Sequence, residues 1–183
     1  MKMKSLFSVL LLFGIVLATS SPTMAAEAIL KDYNAVIVKD LEVPSGSPAP
    51  ESGGMQMAEK AVYQIKRYNQ NNKLFDIVVK EGGKGSKEST DGKKVLIIKG
   101  EVKEWTPPTV GGRVGRSFIP GVGGHLGSAA FAAHYKFIDK ENGNVIYETD
   151  LRTTSTGAND TVEYAMDRNG EALAKYIVKF KGR

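Results

Sequence analysis

The chain has 183 residues, 25 basic and 20 acidic side chains, a formal charge of +5 and no cysteine. Hydrophobic and charged fractions of 42% and 25% are those of an ordinary folded domain, which argues against a disordered tail or a polytopic membrane protein. The lack of cysteine excludes disulfides, thiolate metal sites, thiol nucleophiles and an acylated N-terminal cysteine, and the charge falls short of the basic face that nucleic-acid binding needs.

Residues 1–26 have the order of a secretory leader. Lys2 and Lys4 come first, an apolar run covers 6–18, Ser20, Ser21 and Pro22 break it, and Thr23, Met24, Ala25 and Ala26 follow. Cleavage is expected after Ala25 or Ala26. The apolar run is shorter than the roughly 20 residues that cross a bilayer, so no transmembrane anchor is expected in the mature chain. Without Lys2 and Lys4 the charge falls to +3, and residues 27–183 are expected to form a single domain. The expected address is the periplasm, by export.

Residues 33–43 predict a strand with apolar side chains on both faces, Ala35, Ile37 and Leu41 against Val36 and Val38, as in the middle of a sheet. Residues 44–54 are a Pro/Ser/Gly loop by composition. The spacing of Ala58, Ala61, Val62, Ile65 and Tyr68 predicts a helix over 55–71, ended by four consecutive amides. Residues 74–80 predict a second strand, 82–94 a polar hairpin tip, and 95–105 a third strand with Leu96, Ile98 and Val102 on one face. Two further strands are expected at about 126–139 and 144–154. Asp160 is expected to cap a last helix, with Glu163 in the capping-box position. Its stripe runs through Val162, Ala165, Met166, Asn169, Leu173, Tyr176, Ile177 and Phe180. Gly170 costs about 1 kcal/mol against Ala inside a helix, so it predicts close approach to a neighbouring backbone.

The last hairpin can be registered from its faces. A two-residue Asn142-Gly143 turn would set Phe137 opposite Glu148, crossing an apolar face with a charged one. A three-residue loop of Glu141, Asn142 and Gly143 shifts the pairing by one. Phe137 then meets Tyr147, Tyr135 meets Thr149, Ala133 meets Leu151 and Phe131 meets Thr153, while Lys136 meets Glu148 and His134 meets Asp150. The second register is the expected one. The fold class that follows is α+β in two layers, strand-helix-strand-strand-strand-strand-helix, with a largely antiparallel sheet and both helices on one face.

Little points to catalysis. His134 is explained by its cross-strand carboxylate, and His125 has no carboxylate or second histidine close in sequence. No His cluster, HExxH or EF-hand loop appears, so no metal is expected. No G-x-S-x-G elbow or S-x-x-K pair supplies an activated serine. The Gly-rich runs at 82–87 and 121–124 lack the spacing and the flanking elements of phosphate or dinucleotide loops, so no cofactor is expected. Glu148 and Asp150 share a strand face, with Lys136 and His134 to pair them. The best functional candidate is the stretch from 111 to 127. No acidic residue lies between Glu104 and Asp139, yet Arg113 and Arg116 do, with Phe118, Ile119 and His125 among many glycines. Long loops in compact domains tend to carry function. Arg113, Arg116, Phe118, Ile119 and His125 are therefore the candidate partner-binding residues, and an envelope protein or anionic envelope component is the expected partner.

YNAVIVKDLEV, the Ala-containing helix after it, VLIIKGEVKEW and the block GRVGRSFIPGVGGHLGSAAFAAHYKFIDKENGNVIYET together resemble domain-of-unknown-function family 4410 of the bacterial envelope. The resemblance covers nearly all of the mature chain and implies a periplasmic location in a Gram-negative cell. Many relatives are lipoproteins; this chain departs from them in lacking the acylated cysteine. The element order is more distantly similar to accessory and secretion-pore lipoproteins of the outer membrane. The expected function is a non-catalytic periplasmic binding or assembly module. The alternatives are a small periplasmic hydrolase with an unrecognised site and a structural subunit of an outer-membrane secretion or transport assembly.

Overall fold

In a computed structural model of the chain, residues 28–83, 90–109, 127–156 and 160–183 are described. Five strands and two helices follow in the expected order: β1 (Ala35–Val38), α1 (Gly53–Asn72), β2 (Ile77–Lys80), β3 (Val95–Thr106), β4 (Ala130–Asp139), β5 (Val145–Thr154) and α2 (Val162–Phe180). The strand order is β2-β1-β3-β4-β5. The long β3–β4 and β4–β5 pairings are antiparallel, and the short β1 runs parallel to both β2 and β3.

That parallel trio corrects the sequence reading twice. The segment 82–94 is no hairpin tip, because β2 and β3 lie on opposite sides of β1 and run the same way. The first strand is also much shorter than 33–43. After Val38 the ladder breaks, and Leu41 joins Val36 and Val38 in the main core rather than sharing a face with Ala35 and Ile37. Its central position holds as expected.

Both helices cover one face. Met57, Ala58, Ala61 and Ile65 of α1, and Ala165, Met166, Leu173 and Ile177 of α2, pack on Val36, Val38, Leu96, Ile98, Phe131, Tyr135 and Phe137, all fully buried. Burying one such aliphatic or aromatic side chain stabilises by about 1.5–3 kcal/mol, so this layer supplies the main driving force. A smaller apolar group, Ala35, Ile77, Val79 and Val95, lies on the opposite face of the parallel strands. Close backbone approach fixes the layer spacing. A Cβ on Gly170 would lie 3.1 Å from the Lys60 carbonyl oxygen of α1, the expected intimacy. Gly54 is tighter still, since a Cβ there would fall 1.8 Å from the Leu41 carbonyl oxygen. Residues 53 and 54, expected in the preceding loop, form the first turn of α1 for that reason.

Every cross-strand pair expected from 131 to 137 is present, but the turn differs. Ile138 pairs with Val145, so Ile146 is an extra residue, and the loop has four residues, 140–143, instead of three. Asp139 donates its N–H to the Asn144 carbonyl, and its side-chain Oδ1 accepts the Glu141 N–H at 2.8 Å. The bulge supplies the one-residue shift that had been assigned to the loop. At the head of α2 the cap is Thr161 rather than Asp160: the Thr161 hydroxyl accepts the Tyr164 N–H at 3.1 Å. Asp160 is turned inward, with consequences for the neighbouring site.

Candidate functional site

Arg113, Arg116, Phe118, Ile119 and His125 lie outside the described residues. What is described is the pair of stems from which their stretch departs. A second bulge shapes the first stem. Val102 pairs with Ala133 and Glu104 with Ala132, so Lys103 is extra and the side-chain alternation of β3 inverts beyond it. Trp105 therefore turns onto the core face and meets Phe131 edge-on at 6.1 Å, with its ring against Gly53. Glu104 turns to the helix-free face, where Arg152 donates to both its oxygens at 2.7 and 3.0 Å. This fork holds the Glu104 carboxyl below its ordinary range and the Arg152 guanidinium above it. The sequence carried a signal for the bulge: Val102 and Trp105 are three apart, a spacing that strict alternation cannot place on one face.

The second stem is tied from three directions. The Thr109 N–H donates to the Gly127 carbonyl at 3.1 Å, joining the two stems directly. Asp160 Oδ1 accepts the Ala129 N–H at 2.9 Å and a short bond from the Ser155 hydroxyl. Ser155 also donates its N–H to the Ala129 carbonyl. Asp160 and Ser155 are both buried, so these bonds clamp the exit of the stretch between β5 and α2 in a setting where leaving them unmade would be costly. The buried Ser128 hydroxyl beside them has no hydrogen-bond partner among the described residues. Sequence reading missed the clamp because Asp160, with Glu163 three residues on, suited the capping-box pattern.

The helix-free face of β3, β4 and β5 is a grid of charges. His134 faces Asp150 through Nδ1 at 2.9 Å and Glu148 through Nε2 at 3.1 Å, and Lys136 lies 3.6 Å from Glu148. A shallow cleft of about 150 Å³ is lined by Glu42, Lys99, Gly100, Glu101, His134 and Lys136. Both ring nitrogens of His134 are taken up by carboxylates, Asp150 as the hairpin register implied and Glu148 in addition, and among the described residues no serine is bonded to the ring. Among the described residues, no group of three or more His, Asp or Glu side chains is disposed to hold a metal. This face can present paired charges to a partner; among the described residues it has no nucleophile joined to a base.

At the other end of the sheet, Tyr33 donates to Asp139 Oδ2 at 2.8 Å, and Lys94 lies over the Tyr33 ring. The Tyr33 bond, then the Glu141 N–H, hold the Asp139 carboxyl below its usual range, while burial and the same carboxylate push the Tyr33 phenol up. Lys181 donates to the Tyr33 carbonyl at 2.6 Å and is lowered by desolvation, so the last turn of α2 is fastened to the first described segment. A wider cleft of about 330 Å³ nearby is lined by Lys93, Lys94 and Lys140, but Lys93 is paired with Asp76, Lys94 with Tyr33 and Asp139, and Lys140 reaches Thr90. No described helix is long and apolar enough to cross a membrane.

These features define a two-layer α+β domain with a helix-free, charge-bearing sheet face. Among solved structures the chain is similar to the PelC dodecamer from Paraburkholderia phytofirmans, at 14% identity over 87% of this chain and 92% of that one, with a TM-score of 0.52. A second crystal form, of a PelC variant, gives 13% identity, 82% and 88% coverage and a TM-score of 0.50. A Xanthomonas campestris protein of domain-of-unknown-function family 330 matches at 8% identity over 83% and 84% of the chains, with a TM-score of 0.48. At these identities the likeness is one of fold. No family model matches the chain, and no curated protein does.

Proposed function

We propose that this chain is a non-catalytic binding or assembly module of the bacterial cell envelope, exported to the periplasm by the 1–26 leader and related to family 4410. Its contact surface is the 111–127 stretch. Arg113 and Arg116 meet an anionic envelope component or protein there, with Phe118, Ile119 and His125 beside them. The observation that carries this reading is the anchoring of the stretch: its stems are joined at Thr109 and Gly127 and clamped by Asp160 and Ser155. A loop whose ends are held loses less conformational entropy on binding than one with free ends. The paired charges of the helix-free face support a non-catalytic role over the hydrolase alternative, since His134 is committed to two carboxylates. A second reading, a structural subunit of an envelope assembly, is supported by the fold likeness to PelC, which forms a dodecamer.

The test is affinity capture from envelope extract, comparing the wild type with a variant lacking 111–124. Loss of a specific captured component with the fold retained is expected. Identical capture by both proteins would remove 111–127 as the contact surface.

A further inference from the structure

Among the described residues, the outer edge of β5 is the longest unpaired strand edge of the sheet. β5 has ten residues, while the opposite edge strand, β2, has four. Among the described residues no strand pairs with the outer side of β5. The Ser155 N–H bonds to the Ala129 carbonyl, and the register is unbroken from there to Tyr147. In an antiparallel ladder the bonding direction alternates, so Tyr147, Thr149, Leu151 and Thr153 turn their backbone groups toward β4. Glu148, Asp150, Arg152 and Thr154 therefore turn theirs outward. Natural edges are usually blunted by charged side chains, lysine above all, by proline, by a bulge or by short length. From 147 to 154 this edge has no lysine and no proline, its bulge lies outside that run, at Ile146, and its charges, Glu148, Asp150 and Arg152, are of both signs.

The charges along the edge select an occupant. Consider two copies of β5 pairing antiparallel about a two-fold axis, with outward-facing residues bonded to outward-facing residues. An axis at Thr149 sets Glu148 opposite Asp150 of the second copy. An axis at Asp150 sets Asp150 opposite itself, although it also sets Glu148 opposite Arg152 of the second copy, and an axis at Arg152 sets Arg152 opposite itself. All three juxtapose like charges, which destabilises directly opposed pairs. An axis at Leu151 sets Asp150 opposite Arg152 of the second copy, twice by symmetry, and Glu148 opposite Thr154. On the other face Leu151 meets its own copy and Thr149 meets Thr153. Both charged groups have room for the added partner, with side-chain exposures of 79% for Asp150 and 59% for Arg152.

We propose that β5 pairs with β5 of a second copy of this chain about a two-fold axis at Leu151, extending the sheet across the dimer. The surface is isologous: one patch serves both partners and is self-complementary. It shares no residue with the 111–127 stretch and does not depend on what that stretch contacts.

Sedimentation equilibrium on the protein recovered from periplasm tests the pairing. The wild type is expected to sediment as a dimer that dissociates on dilution. Asp150→Arg places arginine opposite Arg152 and is expected to give monomer at the same concentration. Adding Arg152→Asp to that variant exchanges the two signs and is expected to restore the dimer. Glu148→Pro provides an independent arm, because it removes an N–H that faces outward and leaves the β4 ladder intact; it too is expected to be monomeric. Circular dichroism identifies any variant that fails to fold, in which case Glu148→Pro decides. A monomeric wild type, or an assembly whose mass is unchanged by Asp150→Arg and Glu148→Pro, overturns the proposal. Removing 111–124 should leave the dimer intact, so this pairing and the contact surface fail separately.

Discussion

Asn169 is the polar member of an otherwise apolar helix stripe, and the clearest place to test how this core is held. Its Oδ1 accepts from the Tyr135 hydroxyl at 2.7 Å, and its Nδ2 donates to the Leu151 carbonyl at 2.9 Å and lies 3.3 Å from the Thr153 hydroxyl. One side chain on α2 thus ties together β4 and β5. Tyr135 and Asn169 are fully buried, and burial raises the phenol well above its ordinary pKa, so the O–H stays protonated as a donor. Tyr135→Phe removes that donor with almost no change in volume and leaves Asn169 Oδ1 unpaired. The expected cost is the desolvation penalty of one orphaned buried acceptor, about 1–3 kcal/mol. Asn169→Ala orphans the phenol, removes the second bond to the Leu151 carbonyl, which keeps its β4 partner, and also opens a void, so it should cost more. In a chain of this size 1 kcal/mol moves Tm by about 2–4 °C. Urea unfolding followed by circular dichroism measures both variants, with unchanged m-values required for the comparison. The double variant should then show a coupling of at least about 0.5 kcal/mol, as residues in one network do. A Tyr135→Phe variant within about 0.5 kcal/mol of wild type, the ordinary range for surface changes, would refute the reasoning.

Gly170→Ala should destabilise despite the helix propensity it gains, because the new Cβ meets the α1 backbone at 3.1 Å and only a shift of a whole helix relieves it; a raised Tm would contradict this. Asp139 has a depressed folded pKa, so its contribution is present above the unfolded value of about 3.9 and is lost as pH falls through the folded value. Asp139→Asn should accordingly be less stable at neutral pH and lose less on acidification below pH 4, as thermal melts across that range would show. Replacing Arg113 and Arg116 with Ala should leave Tm nearly unchanged while weakening capture of the envelope partner and its salt dependence. A double variant that melts early but binds normally would make those arginines structural.

Local patterns carried the elements and one pairing. The stripes of α1 and α2 were legible because a helix repeats its buried face every three to four residues, and Gly170 announced its own close contact. The β4–β5 register was legible because a one-residue slip would set Phe137 against Glu148, so side-chain chemistry alone rejects it. The bulge that delivers the register was not, since extra residues in the loop or in the strand give the same pairs.

The candidate residues from Arg113 to His125 came from composition, while the groups that anchor their stretch came from contacts between distant segments. Ser155, Asp160 and Ala129 meet only because β5, α2 and the entry to β4 converge. Glu104 meets Arg152 only because Lys103 is squeezed out of the ladder. The parallel placement of β1 between β2 and β3 is of the same kind: Val36 and Val38 call for burial without naming a neighbour. Burial and periodicity are properties of single segments, and the sequence by itself determined them here. Which segments neighbour one another depends on all of them packing at once, and that choice, with the clamp, the bulges and the open β5 edge, belonged to the tertiary structure.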